Sequence, residues 1–166
     1  FRASNLYFFF MIEIERKFLV SSDAYRVVAS KTSNIRQGYL NSDPERSVRI
    51  RLRDETGFIT VKGKSNASGL SRFEWEKEIS KSDAEALLNL CEDQEIRKIR
   101  YHVSVGYHIF EVDEFLGANK GLVIAEVELR SEAEKFSKPD WLGQEVTGDI
   151  SYYNSKLSQT PFCDWK

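Results

Sequence analysis

The stretch Ile12-Glu13-Ile14-Glu15-Arg16-Lys17-Phe18-Leu19-Val20 decides how the rest of the chain is read. At the two-residue period of a β-strand, Glu13, Glu15 and Lys17 share one face, while Ile14, Phe18 and Val20 lie mostly on the other. One such strand means little, because any half-buried strand keeps a polar face. The pattern then recurs along the chain. Arg49, Arg51 and Arg53 alternate with Val48, Ile50 and Leu52, and Thr60, Lys62 and Lys64 with Ile59 and Val61. Arg72, Glu74, Glu76 and Glu78 stand against Phe73, Trp75 and Ile79; Lys98 and Arg100, Glu111 and Asp113, and Glu126 and Glu128 follow.

These rows are segregated by sign, and that is costly. Same-face neighbours on a strand lie about 7 Å apart, so two like charges repel by about 2 kcal/mol at an effective dielectric near 20. A solvated sheet with cross-strand ion pairs would relax this by mixing signs within each strand. An all-arginine row and an all-glutamate row point instead to a concave site, in which cations grip a polyanion and carboxylates hold the accompanying metal.

With 166 residues the chain has room for one domain with a sizeable core. A net charge of −2 with 30% charged residues argues against a sequence-independent nucleic-acid binder, which would be basic overall. Cys91 and Cys163 have neither the number of a disulfide framework nor the spacing of a metal site, and Cys91 reads as a helix-core residue. His102 and His108 lack cysteine partners for zinc. Residues 1–10 fit no fold element: Asn5-Leu6-Tyr7-Phe8 resembles part of a protease-cleavage linker, which makes 1–10 a tag-like segment and 11–166 the domain. No apolar run approaches the ~20 residues of a membrane span, so a soluble cytoplasmic protein is expected.

Strands are expected near 12–20, 35–41, 47–53, 58–64, 72–79, 96–104, 107–115 and 122–130. Asp54-Glu55-Thr56-Gly57 and the segment around Gly106 read as hairpin turns. Helices are expected after Ser21-Ser22-Asp23, from a Ser82/Glu85 capping box, from a Ser131/Glu134 capping box as far as Pro139, and around Ile150, Tyr153 and Leu157. The fold class is therefore α+β and mainly antiparallel β. Eight strands with one charged and one apolar face can close into a barrel with a polar, charged interior, covered outside by flanking helices.

The ordered set Glu13-x-Glu15-x-Lys17, Arg49-x-Arg51, Thr60-x-Lys62-x-Lys64, Arg72-x-Glu74-x-Glu76, Lys98-x-Arg100, Asp113 and Glu126-x-Glu128 resembles the CYTH, or triphosphate tunnel metalloenzyme, family across residues 11–158. Gln144-Glu145-Val146-Thr147 and Tyr153-Asn154 are similar to short bacterial members. The resemblance implies an eight-stranded tunnel that holds a triphosphate with a divalent metal, Mg²⁺ or Mn²⁺; because the chain is short and shows no evident nucleoside-binding insertion, hydrolysis of inorganic tripolyphosphate to pyrophosphate and phosphate is the expected reaction. The resemblance places Glu13, Glu15, Asp113, Glu126 and Glu128 on the metal side, and Lys17, Arg49, Arg51, Lys62, Arg72, Lys98 and Arg100 on phosphate. Among these, Glu13, Glu15, Lys17, Lys98 and Glu128 would carry catalysis. It leaves the roles of Glu74 and Glu76 open, and it puts Arg53, Lys64 and Glu111 at the tunnel mouth. The implied partner is a small-molecule triphosphate, with no nucleic acid and no membrane, and with room for a homodimer. Thiamine triphosphatase and adenylate cyclase are the alternatives inside the family; a non-catalytic polyphosphate or nucleotide sensor is the alternative outside it, and the carboxylate rows count against that one.

Overall fold

The computed structural model describes residues 12–67 and 71–165; the tag-like segment expected at 1–10 lies outside them. Nine strands form one sheet: β1 Ile12–Val20, β2 Lys31–Asn41, β3 Arg46–Arg53, β4 Thr56–Ser65, β5 Ser71–Ile79, β6 Glu92–Val105, β7 His108–Phe115, β8 Val123–Glu128 and β9 Leu142–Glu145. Their order is β5-β4-β3-β2-β6-β7-β8-β1-β9, and a further antiparallel pairing, Ile12 with Phe73 and Glu13 with Arg72, joins β5 to β1. That pairing closes β1 to β8 into a barrel. The short β9 lies outside the ring, against the second half of β1.

Closure puts the charged rows of β1 and of β3 to β8 inside, together with the uncharged Gln37 and Tyr39 of β2, and leaves an apolar face outside, where three layers cover it. Helix α1, Tyr25–Val28, and the segment leading to β9 cover Phe18, Val103, Phe110, Val112 and Val127, with Tyr25, Phe136 and Trp141 packed edge-on among them. Helix α2, Lys81–Leu88, sets the fully buried Ala84 on Ile50 and Leu52. Helix α3, Asn154–Gln159, closes one end of the barrel. Its Leu157 is buried with Ile96, Phe115 and Ile124; each such side chain removed from water contributes about 1.5–3 kcal/mol. Among the described residues no helix is long and apolar enough to cross a membrane.

Several boundaries depart from the sequence reading for identifiable reasons. The β3–β4 loop is only Asp54 and Glu55. Asp54 takes a left-handed φ of 52°, and its carboxylate accepts from the Asn34 backbone N–H at 2.8 Å. Gly106, at φ 61°, makes the matching turn between β6 and β7. Helix α2 is capped by Ser80, whose hydroxyl accepts from the Asp83 N–H at 3.0 Å, and not by Ser82. The residue that precedes helix α1 at its N-cap is Ala24, with no side-chain cap, so the expected serine and aspartate caps are not used.

The Ser131 box opens a turn but no helix. Glu134 bends back to the backbone N–H of Arg130 and pairs with His108 at 3.0 Å, while Phe136 is drawn into the aromatic cluster. The few residues left before Pro139 are too short a run to repay helix nucleation.

Candidate active site

The interior is a tunnel whose wide part is a cavity of about 1270 Å³, open at the end where β6 turns into β7. Lys17, Arg49, Arg51, Lys62, Lys98 and Arg100 are nearly fully buried along its walls, with Arg72 beside them. Burying so many cations would be prohibitive if they were unpaired. Each has a carboxylate partner from another strand. Lys17 pairs with Glu126 and, at 3.0 Å, with Glu15. Arg51 grips both Glu76 oxygens at 2.9 and 3.1 Å; Arg49 reaches the same group at 3.3 Å and Thr60 Oγ1 at 3.1 Å. Lys62 bridges Glu13 at 3.0 Å and Glu74 at 2.5 Å, and Arg72 holds Glu13 and Glu15, both at 3.1 Å.

At the deep end Asp113 is 1% exposed between Lys98, at 2.6 Å, and the guanidinium of Arg100, at 2.6 and 2.7 Å. Arg100 also touches Glu111 and reaches Glu126 at 3.3 Å. These partners follow from register: Lys17 lies opposite Glu126, Lys62 opposite Glu74, and Arg100 opposite Asp113. A strand reading supplies the rows, whereas only the closed barrel supplies the pairs.

The pairing sets the ionisation of the walls. Burial works against the charge on Lys17, yet Glu126 and Glu15 hold its pKa above the ordinary lysine value. Burial drives Lys98 down to about 8, against the pull of Asp113 and with a push from Arg100. Arg51 falls to about 10, through burial and then repulsion from Arg49. Burial opposes the charge on Glu126 as well, but Lys17 and Arg100 keep its pKa well below the ordinary carboxylate value. Glu128 is the exception. Among the described residues it alone of the five carboxylates assigned to metal has no basic partner; it is exposed on the cavity wall, and partial desolvation followed by Glu13 and Glu111 raises its pKa.

Among the described residues no three acidic, imidazole or thiol groups converge on one point. The carboxylates divide by surroundings. Asp113 is committed to Lys98 and Arg100, and Glu126 mainly to Lys17. Glu13, Glu15 and Glu128 line the wide cavity, with Glu15 directly opposite Glu128 across β1 and β8. Glu74 and Glu76, whose roles the sequence leaves open, serve as counter-ions of Lys62, Arg49 and Arg51. Arg53 and Glu111 line the wide cavity as expected for its mouth. Lys64 does not: the β4–β5 register shifts between Lys62 and Ser65, and Lys64 pairs with Glu45 while 73% exposed. Tyr39, Thr60, Asn154 and His102 also face the interior; of these, the alternation marked only Thr60.

Arg51 meets both Glu76 oxygens through Nη2 alone and leaves its Nε without a partner, so its guanidinium keeps a donor for a substrate oxygen that a lysine ammonium already committed to Glu76 would not supply. Arg51→Lys is therefore expected to lower kcat/KM for a triphosphate about 10- to 100-fold, with the melting temperature nearly unchanged. Unaltered kinetics would place this row outside the site.

A protein-family model described as CYTH domain matches residues 11–160. A curated relative from Acetivibrio thermocellus, named inorganic triphosphatase, is 50% identical over 155 residues, covering 93% of this chain and 97% of its own. One of the same name from Nitrosomonas europaea is 38% identical over 153 residues, covering 89% and 97%. Among solved structures, the inorganic triphosphatase NE1496 superposes with a TM-score of 0.62 at 33% identity, over 88% of this chain and 93% of that one. A putative adenylate cyclase from Bacillus halodurans, at TM-score 0.53 and 21% identity over 72% and 81%, shares the fold.

Proposed function

The chain belongs to the CYTH domain family, and from that premise we propose that it hydrolyses inorganic tripolyphosphate, with one water, to pyrophosphate and phosphate, using a divalent metal ion. The observation that carries this reading is the closed tunnel lined by buried, carboxylate-paired cations. A phosphate chain lying along them takes over the guanidinium and ammonium groups from Glu13, Glu15, Glu74, Glu76 and Glu126. The displaced carboxylates then need a cation of their own, and oxygen donors of this kind suit a hard ion such as Mg²⁺ or Mn²⁺. Glu13, Glu15 and Glu128 fit that role best, because Glu128 already stands among like charges. When bound, the ion supplies charge neutralisation and orients water.

The protein's own groups do the rest. Arg49, Arg51, Lys62 and Arg72 hold the chain straight, and they screen the charge that develops on the leaving pyrophosphate. Arg100 and Lys98, anchored on Asp113, present fixed positive charge at the deep end of the tunnel. Closure of the barrel keeps the reacting phosphoryl group out of bulk water, where these interactions would be weak.

A cyclase would also have to seat a nucleoside and aim its 3′ hydroxyl at the α-phosphorus. The inward-facing rows serve only the phosphate chain. Phosphate release from tripolyphosphate, thiamine triphosphate and ATP, each with Mg²⁺, Mn²⁺ or chelator, tests the reading. Tripolyphosphate is expected to have by far the highest kcat/KM, chelator to abolish release, and ATP to yield ADP or AMP more than cyclic AMP. Cyclic AMP as the dominant product, at efficiency matching tripolyphosphate cleavage, would overturn the assignment.

A further inference from the structure

On one of its edges β1 changes partner halfway along. Its pairing with β5 stops at Ile14, and beyond that point β9 covers the edge from outside the barrel. The two strands lie so close that a Cβ on Gly143 would meet the Leu19 carbonyl oxygen at 2.9 Å. Contact is tightest in meaning at Lys17, one of the buried cations. The Val146 backbone N–H donates to the Lys17 carbonyl at 2.9 Å, while the Lys17 N–H donates to a side chain, the Thr147 hydroxyl, at 3.0 Å.

That hydroxyl is itself oriented. Its one proton goes to Glu145 Oε1 at 2.8 Å, which leaves a lone pair turned toward the Lys17 N–H. Arg16 grips both Glu145 oxygens, through Nε at 2.7 Å and through Nη2. The bond from Arg16 holds Glu145 below the ordinary carboxylate pKa against partial burial, so Glu145 remains an acceptor. Arg16 is also the one charge on the otherwise apolar face of β1, between Ile14 and Phe18. A residue that breaks its strand's own pattern calls for a compensating use. The row Arg16, Glu145, Thr147 runs along the outside of the barrel and ends on the backbone of a residue whose side chain points inside.

We infer that Thr147 is a positioning residue for Lys17, oriented by Glu145 and Arg16, and that this clamp fixes the Lys17 ammonium in the tunnel when a phosphate chain draws it away from Glu15 and Glu126. The Lys17 stem is buried along with its ammonium, so the place of the charge follows from where the backbone is held. A misplacement of about 1 Å in a group that orients substrate can cost about 100-fold in rate. The inference rests on the triphosphatase reading, which the wild-type assay with tripolyphosphate tests by itself; ratios between variants and wild type test the clamp.

Thr147→Val keeps the branched shape and removes the hydroxyl. It is expected to lower kcat/KM for tripolyphosphate about 10-fold, chiefly through kcat, because the charge it fixes matters most as charge builds in the transition state. Thr147→Ser, which keeps the hydroxyl, should stay within about 3-fold of wild type, and Glu145→Leu, which frees the hydroxyl to turn, should lose about 3- to 10-fold. A residue that merely supports the fold would shift the melting temperature and leave kcat of the folded enzyme alone. On a Lys17→Gln background Thr147→Val should cost nothing more, because it acts through Lys17, whereas on a Lys62→Gln background the two losses should multiply. Unchanged kcat in Thr147→Val, an equal loss in Thr147→Ser, or a full further loss on Lys17→Gln would overturn the clamp. Should Thr147→Val lose its fold, or Lys17→Gln all measurable turnover, Glu145→Leu decides, and wild-type kinetics there would overturn the clamp as well.

Discussion

Glu128→Gln is expected to lower turnover of tripolyphosphate about 100- to 1000-fold while making the protein slightly more heat-stable in chelator. The first effect follows if Glu128 helps hold the divalent ion, since such an ion contributes several kcal/mol of transition-state stabilisation and each 1.36 kcal/mol is about tenfold in rate. The second follows from surroundings. Glu128 is exposed on the cavity wall, and its pKa is raised by partial desolvation and then by Glu13 and Glu111, so its charged form opposes folding only weakly. That opposition is present above its folded pKa and disappears as the pH falls through it. The difference in melting temperature between Glu128→Gln and wild type, both in chelator, should therefore be near zero below the ordinary glutamate pKa and grow as the pH rises above it. A surface glutamate of no function would move neither measurement, and wild-type turnover in the variant would sink the assignment.

Asp113→Ala is expected to cost about 3–5 kcal/mol of folding stability, measured by urea unfolding, because it strands Lys98 in the interior and takes from Arg100 its best-held partner, leaving it Glu111 and Glu126. Asp113 is held below the ordinary aspartate pKa: burial opposes its charge, but Arg100 and Lys98 outweigh burial. Its stabilisation is therefore complete above the unfolded-state pKa and is lost as pH falls through the folded one. Adding Lys98→Met to Asp113→Ala should recover part of the loss, since the stranded charge is gone. A cost below about 1 kcal/mol for Asp113→Ala would mean that the deep end admits water freely.

The tunnel was legible in the sequence to the extent that it is written at a period of two. Arg49, Arg51, Lys62, Arg72, Lys98 and Arg100 alternate with apolar residues, and all of them face inward. Whatever depends on contacts between distant strands was not. Glu76 is recognisable as a counter-ion of Arg51 only once β3, β4 and β5 lie side by side. Lys64 kept the right parity and still left the barrel, because a register shift is invisible in one strand's own pattern. The Ser131 box failed as a helix signal because Phe136 had a better use in the core. Tyr39 carries no charge, so the alternation that marked the cations passed over it.

The pairing of every buried cation with an interior carboxylate also acts as a discriminator. Those carboxylates are tethered competitors at fixed, high effective concentration, and a lone sulfate or phosphate displacing one of them gains little. A chain of three phosphates displaces several together and gains the multivalent advantage only when all positions are engaged. On the proposed reading the carboxylates it would release are the ones that bind a divalent cation, and by linkage the cation would raise affinity for the chain by the same factor. A barrel built this way would count phosphates before it commits to one, and would count them together with the metal.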